Sequence, residues 1–229
     1  MAELLYGKPA ADALTAETRR RADMLRGKDV LSRLVILRCG ENEADGAYIR
    51  GAMKCGGLCG VDVELRTLAE NVSADGLARA LEAVNSDNGI HGCLLLRPLP
   101  GHLKAMESKL CALLDLKKDV DGMTPVSAAG VFTGSGQGFP PCTAQACMAL
   151  LDYYHIDCAG KSAAVIGRSA VVGRPAAMLL LARNATVTVC HTGTKDVAAV
   201  TREADIIITA AGAAGSLTAA HVRPGQVVV

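Results

Sequence analysis

The 229-residue sequence is long enough for one large or two small domains, and half of its residues are hydrophobic, which suits a substantial core. A formal net charge of +1 gives no electrostatic reason to expect nucleic acid or an anionic membrane as a partner. Apolar runs fall short of the ~18 residues that a membrane-spanning helix needs, and the start lacks a secretory signal pattern. We therefore expect a cytoplasmic protein. Its core should be aliphatic, because aromatic residues make up only 3% of the chain.

Cysteine usage bears on redox environment and on metal binding. Nine cysteines are a high count, but the number is odd and the spacing C-x-x-C does not occur. Cys55 and Cys59 would lie one turn apart on a helix, a spacing that a metal pair can use. Reduced, mostly buried thiols are the interpretation that we prefer, so we predict no metal site.

The first 140 residues alternate helices with short apolar strands, which predicts an α/β unit. The predicted helices span 10–26, 48–59, 73–84 and 103–114, and the predicted strands span 31–37, 61–66 and 90–96. The basic run Arg19-Arg20-Arg21 is typical of a solvated helix face, and Ser73 is placed to cap a helix. Lys117 to Gly122 predicts a tight charged turn, and 130–138 predicts a linker or mobile loop.

The clearest pattern in the second half is GKSAAVIGRSAVVGRP, from Gly160 to Pro175. Residues 163–166 predict a strand buried on both faces, and 171–182 predict a helix. Gly167 and Gly173 bound the turn between them, which would present backbone N–H groups to a phosphate at the helix N-terminus. The spacing is not G-x-G-x-x-G, and many folds need glycine in such a turn, so a purely structural turn is the alternative.

Further strands are predicted at 185–190 and 204–209, and Thr143 is predicted to cap a helix that runs to Tyr154. Three strands at helix-sized intervals predict a parallel doubly wound sheet with a dinucleotide site at its carboxyl edge. The expected fold class is therefore α/β with two domains, at 1–140 and 141–229. A cleft between them is the default ligand site.

Five short motifs follow one another along the chain. They are RPLP at 97–100, KDVDG at 118–122, PCTAQA at 141–146, VIGRSAVVGRP at 165–175 and CHTGT at 190–194. In this order they resemble the methylenetetrahydrofolate dehydrogenase/methenyltetrahydrofolate cyclohydrolase family. The resemblance implies an amino-terminal folate-binding catalytic domain, a Rossmann-type NADP-binding domain and a cytosolic homodimer. It also implies hydride transfer from 5,10-methylenetetrahydrofolate to NADP, followed by hydration of the methenyl product.

The resemblance implies catalytic and folate-binding roles for Tyr48 and Asp121. Tyr48 would pack against the aminobenzoyl ring, and Asp121 would accept two N–H bonds from the pterin, a charge-assisted bidentate pair. Pro98, Leu99 and Pro100 would form a rigid wall of the substrate site. The alternatives are that Asp121 only forms an Asp-Gly turn and that the prolines only end a strand.

The candidate NADP ligands lie on strand ends and on the turns beside them. They are Thr143, Gly167, Arg168, Ser169, Val172, Gly173, His191, Thr192, Ala211 and Gly212. Arg168 would pair with the 2′-phosphate that NAD lacks, and no acidic residue stands at the end of the following strand, where NAD enzymes commonly place one. The alternatives are a surface role for Arg168, with Arg174 as the phosphate ligand, and a structural role for His191.

Three positions of the family's cyclohydrolase centre differ in this chain. Its catalytic lysine is Ala52, its glutamine is Leu96 and its serine is Asp45. Lys54 lies six residues after the tyrosine, ~240° round the helix, and does not replace the lysine. Hydride transfer depends mainly on aligning two ligands, whereas hydration needs a group that handles protons. We therefore expect the dehydrogenase to survive better than the cyclohydrolase; the alternatives are a fully bifunctional enzyme, drifted folate binding and a catalytically silent relative.

The family's sequence would continue beyond Val229 with a glycine-rich turn near the nicotinamide and a helix that returns to the first domain. The resemblance therefore implies either that the sequence is incomplete at its carboxyl end or that the cofactor pocket is open on one side.

Overall fold

The computed structural model describes residues 3–229, apart from the side chains of residues 43 and 44. These residues form two compact units. One consists of Ala11–Ser127 and Gln137–Phe139, and the other of residues 3–10, Ala128–Gly136 and Pro140–Val229. The first two residues of the predicted amino-terminal domain lie outside the described residues.

From Gly7 to Cys111 the chain alternates helices and strands, and its three strands form a parallel sheet in the order β2-β1-β3. The elements are α1 (Gly7–Arg26), β1 (Arg33–Cys39), α2 (Glu43–Cys59), β2 (Asp62–Leu68), α3 (Ala74–Ser86), β3 (Gly92–Leu95), a 3-10 turn (Lys104–Met106) and α4 (Glu107–Cys111). The middle of the central strand β1 is fully buried. This is expected of a parallel strand that is covered on both faces.

Successive residues of β1 supply two separate aliphatic clusters. Val35 and Leu37 pack on one face with Leu77 and Leu81 of α3, whereas Ile36 packs on the opposite face. This alternation is the period of two that a strand imposes. The predicted cap of α3 is confirmed, because Ser73 Oγ accepts a hydrogen bond from the Gly76 N–H at 3.1 Å.

The remaining strands form a second parallel sheet in the order β5-β4-β6-β7. The elements of this part are α5 (Pro125–Thr133), α6 (Cys142–Tyr153), β4 (Ser162–Ile166), α7 (Gly173–Ala182), β5 (Thr186–Cys190), α8 (Val197–Glu203), β6 (Ile206–Thr209), a 3-10 turn (Ala219–His221) and β7 (Val227–Val228). The last four residues of the central strand β4 are all buried. The predicted α/β class, with a parallel sheet in each of two units, is confirmed.

Several predicted element boundaries were wrong. Helix α2 begins at Glu43, five residues before the predicted start at 48. The helix predicted over 103–114 is a 3-10 turn followed by the short α4. The chain leaves the helix here because the Asn85 side chain donates to the Leu113 carbonyl at 2.7 Å and accepts from the Asp115 N–H at 2.8 Å.

Two predictions near the middle of the chain also need correction. The segment predicted as a linker from 130 is helical as far as Thr133, and only the stretch beyond it is irregular. Gly134, Gly136 and Gly138 all have positive φ there, which ends the helix. Thr143 does not cap α6, because Pro141 holds the cap position and Thr143 lies inside the helix, exposed, in its first turn.

Within residues 3–229, none of the helices is both long and apolar enough to cross a membrane.

Candidate active site

The turn between β4 and α7 depends on two glycines. Gly167 has a φ of 119°, and a Cβ added there would collide with the carbonyl oxygen of Ala210. A Cβ added to Gly173 would collide with the carbonyl oxygen of Gly167. Backbone packing therefore requires both glycines, whether or not either one touches a ligand.

Ser169 occupies part of the N-terminus of α7. Its Oγ accepts hydrogen bonds from the backbone N–H groups of Val172 and Gly173, at 3.1 and 3.3 Å. The prediction that this helix start presents free N–H groups is therefore wrong for these two residues. Because its lone pairs are engaged, the Ser169 hydroxyl is left to donate its own proton outward.

A cavity of about 430 Å³ lies at the carboxyl edge of the second sheet. We call it the β4–β6 cavity. Six predicted cofactor residues line it, namely Gly167, Arg168, Ser169, His191, Thr192 and Ala211. The other lining residues were not predicted: Ile166, Val197, Ala210, Ala213, Ser216 and His221. No carboxylate is among these twelve residues, so the lining offers an anion one permanent cation, Arg168, and several hydrogen-bond donors.

Four predicted cofactor residues do not line the β4–β6 cavity. Gly173 is buried and Val172 caps α7, so both belong to the framework of the turn. Thr143 lies in the first turn of α6, and Gly212 has a φ of 66° in the loop after β6.

The His191 ring is oriented by the turn that follows β5. Its Nδ1 accepts a hydrogen bond from the Gly193 N–H at 3.0 Å, and the backbone N–H of His191 donates to Thr194 Oγ1 at 2.9 Å. The neutral ring therefore carries its proton on Nε2. Burial raises the pKa of the neighbouring Cys190 thiol, so that thiol stays protonated and acts in packing.

In the first unit, Lys118 is buried and fully bonded within the protein. Its Nζ donates to the carbonyl oxygens of Val84, Asn85 and Asp87, at 2.6, 2.9 and 2.7 Å. These acceptors lie at the carboxyl end of α3, where helix carbonyls lack helical partners. The predicted turn at 117–122 is confirmed for the backbone. Lys118, the first charged residue of the KDVDG motif, is buried rather than exposed to solvent.

Asp119 is buried as well, and its carboxylate organises the start of α5. It accepts hydrogen bonds from the N–H groups of Met123 and Thr124, both at 2.9 Å, and from Ser127 Oγ at 2.6 Å. The preceding carbonyl, of Lys118, accepts from the N–H of Cys93 in β3 at 2.7 Å. Burial raises the pKa of Cys93 to about 12, so this thiol is not a nucleophile. The turn is thus fastened to β3, α3 and α5.

Asp121 stands on this anchored turn and is partly exposed. Its Oδ2 accepts from Arg97 Nη2 at 3.5 Å, and the two side chains are 22% and 24% exposed respectively. Arg97 belongs to the RPLP motif, but the sequence predicted no role for it. Asp121 therefore combines a fixed backbone with a carboxylate that still reaches solvent.

A second cavity, of about 900 Å³, lies within the first unit and is polar; we call it the β1–β3 cavity. Its lining comprises Cys39, Gly40, Glu41, Asn42, Asp45, Glu70, Asn71, Pro98, Pro100, Gly101 and His102. The predicted wall residues Pro98 and Pro100 line it, whereas Tyr48, 56% exposed on α2, does not. Leu99, the third predicted wall residue, does not line this cavity, and its side chain is buried in the same core cluster as Leu95.

Cys55 and Cys59, whose spacing a metal pair could use but for which no metal was predicted, lie on α2. Burial raises the pKa of the Cys59 thiol, and a hydrogen bond with Cys55 adds to that effect. Among the described residues, no group of three or more His, Cys, Asp and Glu side chains is arranged to hold a metal ion.

Comparison with known proteins identifies the family of this chain. Residues 5–121 match the catalytic domain of tetrahydrofolate dehydrogenase/cyclohydrolase, and residues 141–229 match the NAD(P)-binding domain of the same enzyme. The chain belongs to the tetrahydrofolate dehydrogenase/cyclohydrolase family. The predicted family is thereby confirmed, and the parallel sheet of the second unit is the family's Rossmann-type sheet.

Individual members of the tetrahydrofolate dehydrogenase/cyclohydrolase family match along the whole chain. The bifunctional protein FolD of Carboxydothermus hydrogenoformans is 43% identical over 229 residues, which are 100% of this chain and 79% of that protein. The crystal structure of FolD from Campylobacter jejuni matches with a TM-score of 0.94 and 36% identity, covering 99% of this chain and 79% of that one. FolD from Trypanosoma brucei, solved with NADP and an inhibitor, matches with a TM-score of 0.90 and 29% identity, covering 99% and 77%.

Two of the positions that depart from the pattern of the tetrahydrofolate dehydrogenase/cyclohydrolase family meet at one place. Ala52 and Leu96 both pack against the buried cluster of Ile36, Ile49 and Leu94. Lys54 is exposed on α2 and does not pack on this cluster. Where the resemblance led us to expect a lysine and a glutamine, the structure has an apolar patch.

Proposed function

We propose that this protein is an NADP-dependent 5,10-methylenetetrahydrofolate dehydrogenase with weak or absent cyclohydrolase activity. The observation that carries the proposal is the apolar patch at Ala52 and Leu96, which lies in the same unit as an anchored and accessible Asp121. Tyr48 and Asp121, which the family resemblance assigns to folate binding, are retained. The lysine and glutamine that would handle protons are replaced by Ala52 and Leu96.

The residues of the β4–β6 cavity fit NADP. Arg168 is exposed and can pair with the 2′-phosphate, and the hydroxyls of Ser169 and Thr192 are available as donors beside it. Gly167 lets the backbone of the turn approach a ligand closely, and the lining has no carboxylate to repel a phosphate. When bound, NADP accepts the hydride.

The folate is assigned to the first unit. We propose that Asp121 accepts the N–H bonds of the pterin and that Tyr48 packs against the aminobenzoyl ring. Arg97 holds one oxygen of Asp121, and a carboxylate has about four lone-pair sites, so acceptor capacity remains for the pterin. Pro98 and Pro100 contribute a rigid wall of the β1–β3 cavity.

The two reactions place different demands on the chain. Hydride transfer requires the two ligands to be held in alignment, and the residues proposed above to bind each ligand are retained. Hydration requires general acid–base catalysis, which contributes roughly 10²–10⁴-fold to a rate. Ala52 and Leu96 have neither a donor nor an acceptor in their side chains, so the second reaction loses this contribution.

One assay tests the proposal. Purified protein receives methylenetetrahydrofolate and NADP, and the absorbances of NADPH and of methenyltetrahydrofolate are followed together. We expect NADP reduction with accumulation of the methenyl product. No reduction above a blank would favour a catalytically silent relative, and methenyl decay much faster than in buffer would favour a fully bifunctional enzyme.

Designed variants sharpen the assay. Ala52→Lys alone should restore little hydration, because the new amine would lie on an apolar cluster without a partner. Ala52→Lys combined with Leu96→Gln supplies both groups and should accelerate methenyl decay above the parent rate. Leu96→Gln alone is the matched control and should leave the decay unchanged.

By the same family resemblance, we propose a homodimer that works in the cytoplasm. Light scattering on the purified protein tests the assembly, and a mass that corresponds to one chain at micromolar concentration would contradict it.

A further inference from the structure

His221 lies in the lining of the β4–β6 cavity, and no sequence motif singled it out. It is the last residue of the 3-10 turn Ala219–His221 and is partly buried. The Thr218 N–H donates to its Nδ1 at 3.2 Å, and Thr218 Oγ1 lies 2.8 Å from the same nitrogen. Because Nδ1 accepts a backbone N–H, the neutral ring carries its proton on Nε2.

Within the part of the chain that the structure describes, no group accepts a hydrogen bond from the Nε2–H of His221. Among the described residues, the hydrogen bonds of this ring all involve Nδ1. A ring that lines a cavity with its second nitrogen uncommitted presents one fixed donor. That donor suits a neutral acceptor atom of a ligand.

The surroundings of His221 indicate which part of a nucleotide it meets. Its turn packs on α8, since Arg202 Nη1 donates to the Ala220 carbonyl at 2.8 Å and Val222 packs on the same cluster as Val197. Val197 begins α8 and also lines the cavity. The other lining side chains on this side are apolar apart from Ser216, whose hydroxyl donates to the Ala213 carbonyl at 3.0 Å. Arg168, Ser169 and Thr192 lie instead just after the ends of β4 and β5.

We propose that His221 donates a hydrogen bond from Nε2 to a ring nitrogen of the adenine base. The inference rests on the NADP site proposed above and adds the residue that recognises the base. A purine is flat and largely apolar with acceptor nitrogens on its edge, which matches an apolar wall that carries one donor. Phosphate groups belong instead to the side of Arg168 and Thr192, beside His191.

Two substitutions of His221 distinguish the contribution of Nδ1 from that of Nε2. His221→Asn keeps an acceptor near the position of Nδ1, so it can still bind the Thr218 N–H, but it lacks the distal donor. His221→Gln places an amide donor near the position of Nε2. His155→Asn is the matched control, because His155 is exposed outside the cavity with a φ of 55° that asparagine tolerates.

The experiment measures dissociation constants by calorimetry for 5′-AMP, 2′,5′-ADP and NADP. We expect His221→Asn to weaken all three by a similar factor of about three- to tenfold, the value of one hydrogen bond to a neutral group. His221→Gln should recover most of the loss, and His155→Asn should change nothing. Unfolding midpoints of all variants establish that each one is folded.

Three results would overturn the inference while the proposed function stands. They are unchanged affinities in His221→Asn, equal losses in the Asn and Gln variants, and a loss confined to the two ligands that carry a 2′-phosphate. The last result would assign His221 to the phosphate. If the parent protein binds neither 5′-AMP nor NADP at millimolar concentration, the proposed function itself fails, and the inference fails with it.

Discussion

Both units place charged motif residues beside parallel strands, but they surround them differently. Lys118 and Asp119 lie alongside β3, where Asp119 pairs with Cys93, and both are buried with their hydrogen bonds made to protein atoms. Arg168 and His191 lie just after the ends of β4 and β5 and line a cavity. A charged motif at the edge of a sheet is therefore ambiguous by itself, and the supply of internal partners decides whether it builds the fold or binds a ligand.

The sharpest test of this comparison is Lys118→Met. The substitution leaves three carbonyl oxygens, one of them buried and two partly buried, without their donor. We therefore expect a loss of about 3–5 kcal/mol in the free energy of unfolding. Urea unfolding followed by circular dichroism measures it. Lys117→Met is the control, because Lys117 is the exposed neighbour in the same turn. If both variants lowered the free energy of unfolding by the same small amount, Lys118 would not stabilise the fold, and the contrast with the cavity-lining residues of the second unit would be wrong.

The second test uses two aspartates of the same turn. Asp121→Asn should weaken binding of the folate by roughly 2 kcal/mol or more, because it removes a charge-assisted acceptor. NADP affinity and the unfolding midpoint should stay unchanged. Asp119→Asn should do the reverse and lower stability, since its amide would point a donor at backbone N–H groups. Calorimetry that finds both ligands weakened by Asp121→Asn would instead make Asp121 a structural residue of the turn.

Arg168→Ala tests the role of the charged residues that line a cavity in the second unit. The arginine is exposed and lines the β4–β6 cavity, so its removal should leave stability intact. We expect the KM for NADP to rise by about tenfold or more, which is the value of one hydrogen bond to a charged group, with little effect on NAD. Steady-state kinetics with both cofactors checks this. A parent enzyme that already prefers NAD would remove the basis for this role of Arg168.

The smallest expected effect is that of Arg97→Leu. The ion pair with Asp121 is long and partly exposed, so its loss should cost about 0.5–1 kcal/mol in folate affinity, or roughly two- to fivefold in KM. The unchanged KM for NADP is the internal control. A change as large as that of Asp121→Asn would show that Arg97 binds the folate directly.

The sequence predicted the strands well because buried parallel strands are continuous apolar runs, as Ala163–Ile166 illustrates. It predicted Arg168 and His191 as cofactor residues because both lie within two residues of a predicted strand end. It could not predict the burial of Lys118, since the carbonyls that bind it belong to residues more than 30 positions earlier. His221 was missed for a similar reason, because its turn reaches the cavity only by packing on α8.

The contact between Gly167 and Gly173 has a genetic consequence. At each position the space that a side chain would need is filled by a carbonyl group of the backbone, which has no alternative rotamer to adopt. Every missense change of either codon adds a Cβ, so neither site offers a conservative replacement, and a change at one does not make room at the other. In a saturation library selected for activity, we expect these two codons to tolerate only synonymous changes, while the codon of the neighbouring exposed Ala170 varies freely.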